Sequence, residues 1–155
     1  RKDVTDPHAA IQAGRERGCD RFEIYGGTGG RAEHTLANMQ SVARLAAQGC
    51  VGVLVFDGHA LTAISGATLG RIRFAPLPSG FISVFAHSDK AEGVTISGLK
   101  YSLDNATLTN DFPLGVSNEF TGSACNIPVR AGTLLVVYHM HAHWTTYLED
   151  NTCTI

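Results

Sequence analysis

The sequence predicts a partial parallel α/β domain followed by an antiparallel β-sandwich. Up to about residue 58, two apolar strand-like runs alternate with two helical patterns, an order that favours part of a parallel α/β sheet. Beyond about residue 60, short β-rich segments separated by Gly, Asn, Asp and Pro are typical of sandwich strands. We therefore expect one domain over residues 1–60 and a second over residues 61–155, with the boundary near residues 58–62.

Local signals define two helices in the first domain. Asp6 is suited to cap the first helix, with Pro7 at its first position and Gly18 past its end. In the second helix, which closes at Gly49, apolar residues recur at three- and four-residue spacing, at Leu36, Met39, Val42 or Ala43, and Ala46. Both patterns indicate helices with one apolar face.

Apolar runs define the strands. "FEIYGG" is typical of a buried strand, and "CVGVLVFDG" of a strand covered on both faces. The sandwich strands are expected in "FISVFAH", "GVTISGLKYSL", "NATLT", "NIPVR" and "GTLLVVYHMH".

Composition argues against nucleic-acid and membrane partners. The 155 residues, 44% of them hydrophobic, are enough to bury a core, and 12 basic residues against 14 acidic ones form no dense basic run. The apolar stretches are too short to cross a bilayer. The four cysteines are Cys19, Cys50, Cys125 and Cys153. Because none of them forms a CxxC pair, we expect reduced thiols in a cytoplasmic protein. Because the chain begins with Arg1 instead of Met, we expect an upstream segment.

The glycine-rich stretch "YGGTGGRAEHTLAN", residues 25–38, joins the first strand to the second helix. Glycines after a strand allow positive φ angles, and the helix start adds partial positive charge, so the junction suits an anion such as phosphate. Arg31 offers a two-pronged grip on phosphate oxygens, while His34 and Asn38 lie one turn apart on one helix face. Ordinary turn glycines beside a solvated arginine are the alternative interpretation.

"KDVTD" holds a candidate magnesium site. Asp3 and Asp6 supply the carboxylate oxygens that Mg²⁺ prefers, and Thr5 adds a hydroxyl group. The alternative is that Asp6, directly before Pro7, serves only as a helix cap.

Three motifs in order, "DVTD", "GGTGGRAEHTLAN" and "GLKYSLDNATLTNDFPLGVSNEF", resemble thiamine pyrophosphokinases of the bacterial branch. The resemblance covers roughly residues 2–138. It implies a nucleotide-binding α/β domain before a thiamine-binding β-sandwich, and homodimers that hold thiamine near the subunit interface. The implied reaction transfers a pyrophosphoryl group from ATP to the hydroxyl of thiamine, which yields AMP and thiamine diphosphate.

The resemblance assigns site residues in both domains. In the family, the acidic pair matched by Asp3 and Asp6 serves Mg²⁺ and the nucleotide phosphates, and Thr5 matches the threonine between them. The remaining assignments carry Arg31 and His34 to the reaction site, Gly27, Gly30 and Asn38 to the nucleotide, and Tyr101, Ser117 and Asn118 to thiamine. For Tyr101, an ordinary packed strand residue is the alternative.

The sequence departs from the family pattern at several points. Val4 stands where lysine is frequent, and Glu33 stands where aspartate usually precedes the histidine. The family's upstream GDxDS-like acidic segment does not occur in this sequence, and a chain that lacked it is not expected to turn over. A related diphosphokinase acting on a pterin alcohol, and a non-catalytic ligand-binding module, remain alternative functions.

"HMHAHW" places His139, His141 and His143 at a spacing of two residues. On a strand this spacing puts three imidazoles on one face, an arrangement able to bind Zn²⁺ or Ni²⁺. A surface strand with adventitious histidines is the commoner outcome.

Overall fold

The computed structural model describes residues 6–147. Within that range the chain forms two helices and eleven strands: α1 (Asp6–Glu16), β1 (Arg21–Tyr25), α2 (Ala32–Ala47), β2 (Val51–Phe56), β3 (His59–Ser65), β4 (Arg71–Phe74), β5 (Phe81–Ala86), β6 (Lys90–Ile96), β7 (Leu103–Thr109), β8 (Gly115–Glu119), β9 (Cys125–Pro128), β10 (Thr133–His139) and β11 (Trp144–Tyr147). The prediction of a mixed α/β protein with many antiparallel strands is confirmed. Neither described helix is long and apolar enough to span a membrane.

A six-stranded sheet runs through the molecule in the order β1-β2-β3-β10-β5-β8. Strands β1 and β2 are parallel, whereas every other neighbouring pair in this sheet is antiparallel. The sheet is therefore continuous through residues 58–62, where the sequence predicted a boundary between two domains. A two-residue turn, Asp57 at φ 41° and Gly58 at φ 78°, makes the connection between β2 and β3, as Asp-Gly hairpins commonly do.

Strand β1 is more exposed than the sequence predicted. Its residues alternate between exposed and half-buried, so "FEIYGG" does not form a buried strand. The reason is its position at the edge of the described sheet, where β2 is its hydrogen-bonded neighbour.

The remaining strands complete the β-rich part. Strands β11, β4 and β9 form a three-stranded sheet, and β6 pairs with β7. Their inner faces and that of the large sheet enclose one core, in which the Phe74 ring meets Phe120 and Tyr138 edge to face at centroid distances of 5.5 and 5.1 Å. Such aromatic geometry adds about 0.5–1.5 kcal/mol beyond the buried area.

Helix α2 covers the other face of the large sheet. Its buried face packs Val42 and Ala46 on Leu54 and Leu61, and it approaches β2 closely at Gly52. A Cβ at Gly52 would lie only 2.9 Å from Leu45 Cδ1, so glycine permits this close packing. The helix is thereby held firmly, and its N-terminus lies beside the glycine-rich loop.

The described cysteines are free thiols. Cys19 is exposed, while Cys50 and Cys125 are buried. Cys153 lies outside the described residues.

The predicted comb of three histidines on one strand is wrong. Strand β10 ends at His139, and the chain then turns, with Met140 N–H donating to Gly58 O and Ala142 N–H to His139 O. His141 and His143 consequently lie outside the strand. Residues 6–147 contain no group of three or more His, Cys, Asp or Glu residues arranged to hold a metal ion.

Candidate functional site

The glycine-rich loop occupies the turn between β1 and α2. Gly26 and Gly29 have φ angles of 67° and 85°, which are readily accessible to glycine. Arg31 is the N-cap of α2 in an extended conformation, and its side chain makes no capping hydrogen bond within the described part of the chain. A helix start beside a glycine-rich loop is suited to bind phosphate, because the first N–H groups of a helix lack partners within the helix.

Asn38 anchors this loop. Its side chain is only 6% exposed, and Nδ2 donates a 3.0 Å hydrogen bond to the carbonyl oxygen of Gly27. A Cβ at Gly27 would lie 2.6 Å from Leu54 Cδ1 and 2.8 Å from Asn38 Nδ2. The structure therefore brings these two predicted nucleotide-site residues together and engages one Asn38 N–H with the loop backbone.

Arg31, Glu33 and His34 meet on the first turn of α2. Arg31 Nη2 lies 2.6 Å from His34 Nε2, and Arg31 Nε lies 3.1 Å from Glu33 Oε1. Because a guanidinium group only donates, His34 Nε2 is the acceptor in this contact. All three side chains are exposed, so the ion pair adds little stability and leaves the guanidinium able to turn toward an anion.

The predicted magnesium ligands fall at the start of the chain. Asp3 and Thr5 lie outside the described residues, and Asp6 is described as the first residue of α1. Two carboxylates completed by substrate phosphates and water fit the usual Mg²⁺ chemistry, which needs no all-protein cage. Their role as ligands stays a prediction.

A second candidate site lies between β6, β7 and β8. Its cavity of about 260 Å³ is mostly apolar and is lined by Ile96, Tyr101, Leu103, Leu114, Gly115, Val116 and Asn118. The structure thus brings Tyr101 and Asn118 together, as the motifs "GLKY" and "SNE" suggested. Its apolar wall at Leu103, Leu114 and Val116 was missed in the sequence, where Leu103 was expected in a strand and the other two residues appeared only within the third family motif.

Asn118 is buried and bonded to the segment that carries Tyr101. Oδ1 accepts from Tyr101 N–H at 2.9 Å and from Glu119 N–H at 2.9 Å. Nδ2 donates to the Tyr101 carbonyl oxygen at 2.6 Å. One side chain therefore satisfies both backbone groups of Tyr101.

Ser117 sits in a β-bulge beside this cavity. Val116 and Ser117 of β8 together oppose the single residue Ser83 of β5, and Ser117 has φ 59°. Ser117 N–H donates to Ser83 Oγ at 3.0 Å. Bulges and left-handed backbone at a non-glycine residue are enriched beside functional sites.

A charged pair borders Tyr101, and it was also missed in the sequence. Lys100 Nζ lies 2.8 Å from Glu119 Oε1 and 5.5 Å from the centre of the Tyr101 ring. The hydrogen bond that Lys100 donates to the Glu119 carboxylate, followed by the negative charge of Glu119, raises the pKa of Lys100. The sequence could have indicated this pair by position, because Lys100 is next to Tyr101 in "GLKY" and Glu119 is next to Asn118 in "SNE".

A known protein family is similar to the segment that forms the second candidate site. The family model described as "Thiamin pyrophosphokinase, vitamin B1 binding domain" matches residues 72–134, which include Tyr101, Ser117 and Asn118. A thiamine pyrophosphokinase of Bacillus subtilis (strain 168) is 28% identical over 147 residues, which is 88% of this chain and 63% of that protein.

Solved structures agree with this comparison. The crystal structure of thiamine pyrophosphokinase from Bacillus subtilis superposes with a TM-score of 0.80 at 26% identity, covering 90% of this chain and 64% of that one. Thiamin pyrophosphokinase from Geobacillus thermodenitrificans shares the fold with a TM-score of 0.76 at 23% identity, covering 90% and 63%. The chain spans just under two thirds of the length of these proteins.

Proposed function

The chain is related to the thiamine pyrophosphokinases, and on that premise we propose that it carries the acceptor pocket and the phosphate loop of a thiamine diphosphokinase. The proposed reaction transfers a pyrophosphoryl group from ATP to the hydroxyl of thiamine and releases AMP. The observation that carries this proposal is the apolar cavity walled by Tyr101 and buttressed by Asn118, because it lies within the matched vitamin B1-binding segment.

The cavity has the chemistry that an aromatic vitamin needs. Its lining is mostly apolar, so burial of thiamine's rings against it would be favourable, and Tyr101 offers a ring for stacking. Because Tyr101 is 58% exposed, its ring is accessible to a ligand. Ser117 adds a hydroxyl group beside the pocket for orienting the bound molecule.

The glycine-rich loop is proposed to bind ATP, the donor of the pyrophosphoryl group. Backbone N–H groups at the start of α2 and the Arg31 guanidinium are proposed to bind the oxygens of the transferring group, where they stabilise developing charge. His34, held through its Nε2 by Arg31, would complete this surface. Mg²⁺, held by Asp3 and Asp6, would neutralise triphosphate charge when bound.

The two sites lie at opposite edges of the large sheet. The loop follows β1 at one edge, and Ser117 and Asn118 belong to β8 at the other. Five strand spacings separate these edges, about 24 Å along the sheet, and transfer requires reacting atoms about 3–3.5 Å apart. We therefore propose a homodimer in which the loop of one subunit serves the pocket of the other.

An exposed apolar surface supports this assembly. It includes three exposed residues that line the pocket, Tyr101, Leu114 and Val116, and the exposed Phe112, which lies two residues before Leu114. Large exposed apolar patches commonly mark interaction surfaces. We also propose a cytoplasmic location, with which the proposed substrates and the free thiols of the described cysteines are consistent.

Product analysis tests the reaction. The protein encoded by the natural open reading frame is incubated with thiamine and MgATP. It is expected to form AMP and thiamine diphosphate. Turnover of a pterin alcohol instead of thiamine would overturn the acceptor, and thiamine binding without turnover would favour a binding module. Asp6→Asn should lower turnover about a hundredfold and leave thiamine binding intact, because it removes a proposed metal ligand and spares the pocket.

A further inference from the structure

The buried amide of Asn118 is committed to protein groups. An amide oxygen has two lone pairs, and Oδ1 of Asn118 uses both of them to accept hydrogen bonds from Tyr101 N–H and Glu119 N–H. One of the two Nδ2 hydrogens is used by the Tyr101 carbonyl oxygen, and the side chain belongs to a residue only 4% exposed. We propose that Asn118 is a positioning residue, which acts on the acceptor substrate through Tyr101 instead of binding it directly.

The segment that carries Tyr101 needs such support. Tyr101 lies between β6 and β7, outside any strand, so no ladder satisfies its backbone groups. Without Asn118, both its N–H and its C=O would lose their hydrogen-bond partner. These two groups would then need other partners, and the segment would move to reach them. The ring would then leave its place in the cavity wall.

Within residues 6–147, other hydrogen bonds hold the neighbouring residues, whereas the Tyr101 N–H and C=O groups bond to Asn118. Lys100 N–H donates to the Glu119 carbonyl oxygen at 3.0 Å, which docks this segment on β8. The Lys100 side chain, paired with Glu119, contacts the ring itself. Lys100→Met therefore removes the ring contact while keeping the amide bonds from Asn118, and it serves as the matched control.

A double-mutant cycle on thiamine affinity tests the proposal, which rests on the proposed function. Isothermal titration is made on the 155-residue chain, on Asn118→Ala, on Tyr101→Ala and on the double variant. Each single change is expected to raise the Kd about tenfold, and the double variant should bind no more weakly than Tyr101→Ala. If the two effects multiply to about a hundredfold, Asn118 contacts the substrate itself and the proposal is wrong.

A measurement without ligand separates this proposal from the function. Amide hydrogen exchange at Tyr101 should be at least about tenfold faster in Asn118→Ala than in the unmodified chain, and unchanged in Lys100→Met. If the unmodified chain binds no thiamine, the proposed function fails while this exchange still decides the positioning role. Unchanged exchange in Asn118→Ala would overturn that role.

A second variant keeps the proposal testable if Asn118→Ala does not fold. Asn118→Asp keeps an oxygen that can accept from the Tyr101 and Glu119 N–H groups and loses the N–H that donates to the Tyr101 carbonyl oxygen. It should therefore show thiamine affinity between those of the unmodified chain and Asn118→Ala, and intermediate Tyr101 exchange. If Asn118→Ala does not fold, this variant replaces it in the cycle with Tyr101→Ala. Affinity and exchange equal to those of the unmodified chain would then contradict the proposal.

Discussion

The side-chain amide of Asn38 donates to the carbonyl oxygen of Gly27 at 3.0 Å, at a point where Gly27 has no room for a Cβ. The helix that follows the glycine-rich loop therefore holds the loop in shape. Asn38 was predicted to serve the nucleotide, and this bond gives a physical route for that role, through the conformation of the loop.

Gly27→Ala should lower the free energy of unfolding by about 1–3 kcal/mol, because the added methyl group overlaps Leu54 and the Asn38 amide. Nucleotide affinity should fall with it. Gly30→Ala is the matched control, since nothing lies within 4 Å of its added Cβ, and its effect should stay within about 0.5 kcal/mol. Urea unfolding of both variants is the measurement, and equal losses would contradict the packing argument.

Arg31→Lys should lower turnover by about tenfold or more, although the charge is kept. An ammonium group cannot reproduce the two-pronged grip of a guanidinium on phosphate oxygens. Arg21→Lys on β1 is the control, because Arg21 lies over the Trp144 ring and away from the loop. Steady-state kinetics with MgATP compare the two, and a rate for Arg31→Lys equal to that of the control would remove Arg31 from the reaction site.

Gly98→Ala should unfold the pocket segment, whereas Gly122→Ala should be tolerated much better. Both glycines have positive φ, 79° and 85°, so backbone strain is similar in the two variants. A Cβ at Gly98, however, would overlap the carbonyl group of Ala124, while Gly122 has open space. Denaturant unfolding should show a loss about 3 kcal/mol larger for Gly98→Ala. Comparable losses would show that strain, and not the Ala124 contact, dominates.

Leu114→Asp should weaken the proposed homodimer and thiamine binding together. Leu114 lines the cavity and is 52% exposed, so an added carboxylate would have to be desolvated in the interface. Met140→Asp, a change at another exposed apolar residue, should leave assembly unchanged. Analytical ultracentrifugation measures the oligomeric state of both variants. If the unmodified protein is a monomer that binds thiamine tightly and turns over, the proposed homodimer with a site formed by two subunits is wrong.

Alkaline pH should destabilise the fold partly through Cys125. Burial raises the pKa of the Cys125 thiol from its ordinary 9.0 to about 12. The unfolded chain therefore releases this proton at lower pH than the folded one, and stability falls between about pH 9 and 12. Burial also raises the pKa of Tyr138, which acts in the same direction at higher pH. Cys125→Ala should show a shallower decline in urea unfolding from pH 8 to 10.5, and an identical slope would refute the assignment.

The sequence by itself determined the elements with strong local signals. The expected first helix corresponds to α1, which starts at Asp6 and ends before Gly18, and the second to α2, which ends before Gly49. Both glycines have positive φ, 85° and 76°, a conformation that few other residues adopt without strain. The three family motifs likewise sufficed to indicate the relatives, because matched residues are read from order and spacing alone.

Tertiary structure alone decided how the strands pair and what the polar site residues contact. Leu61 pairs with Val137 across the sheet although the two are far apart in sequence, and no local pattern specifies such a partner. The same long-range pairing puts the glycine loop and the Tyr101 pocket at opposite edges. It also turns the amides of Asn38 and Asn118 onto backbone groups, since a buried amide must find hydrogen-bond partners that only the packed chain supplies.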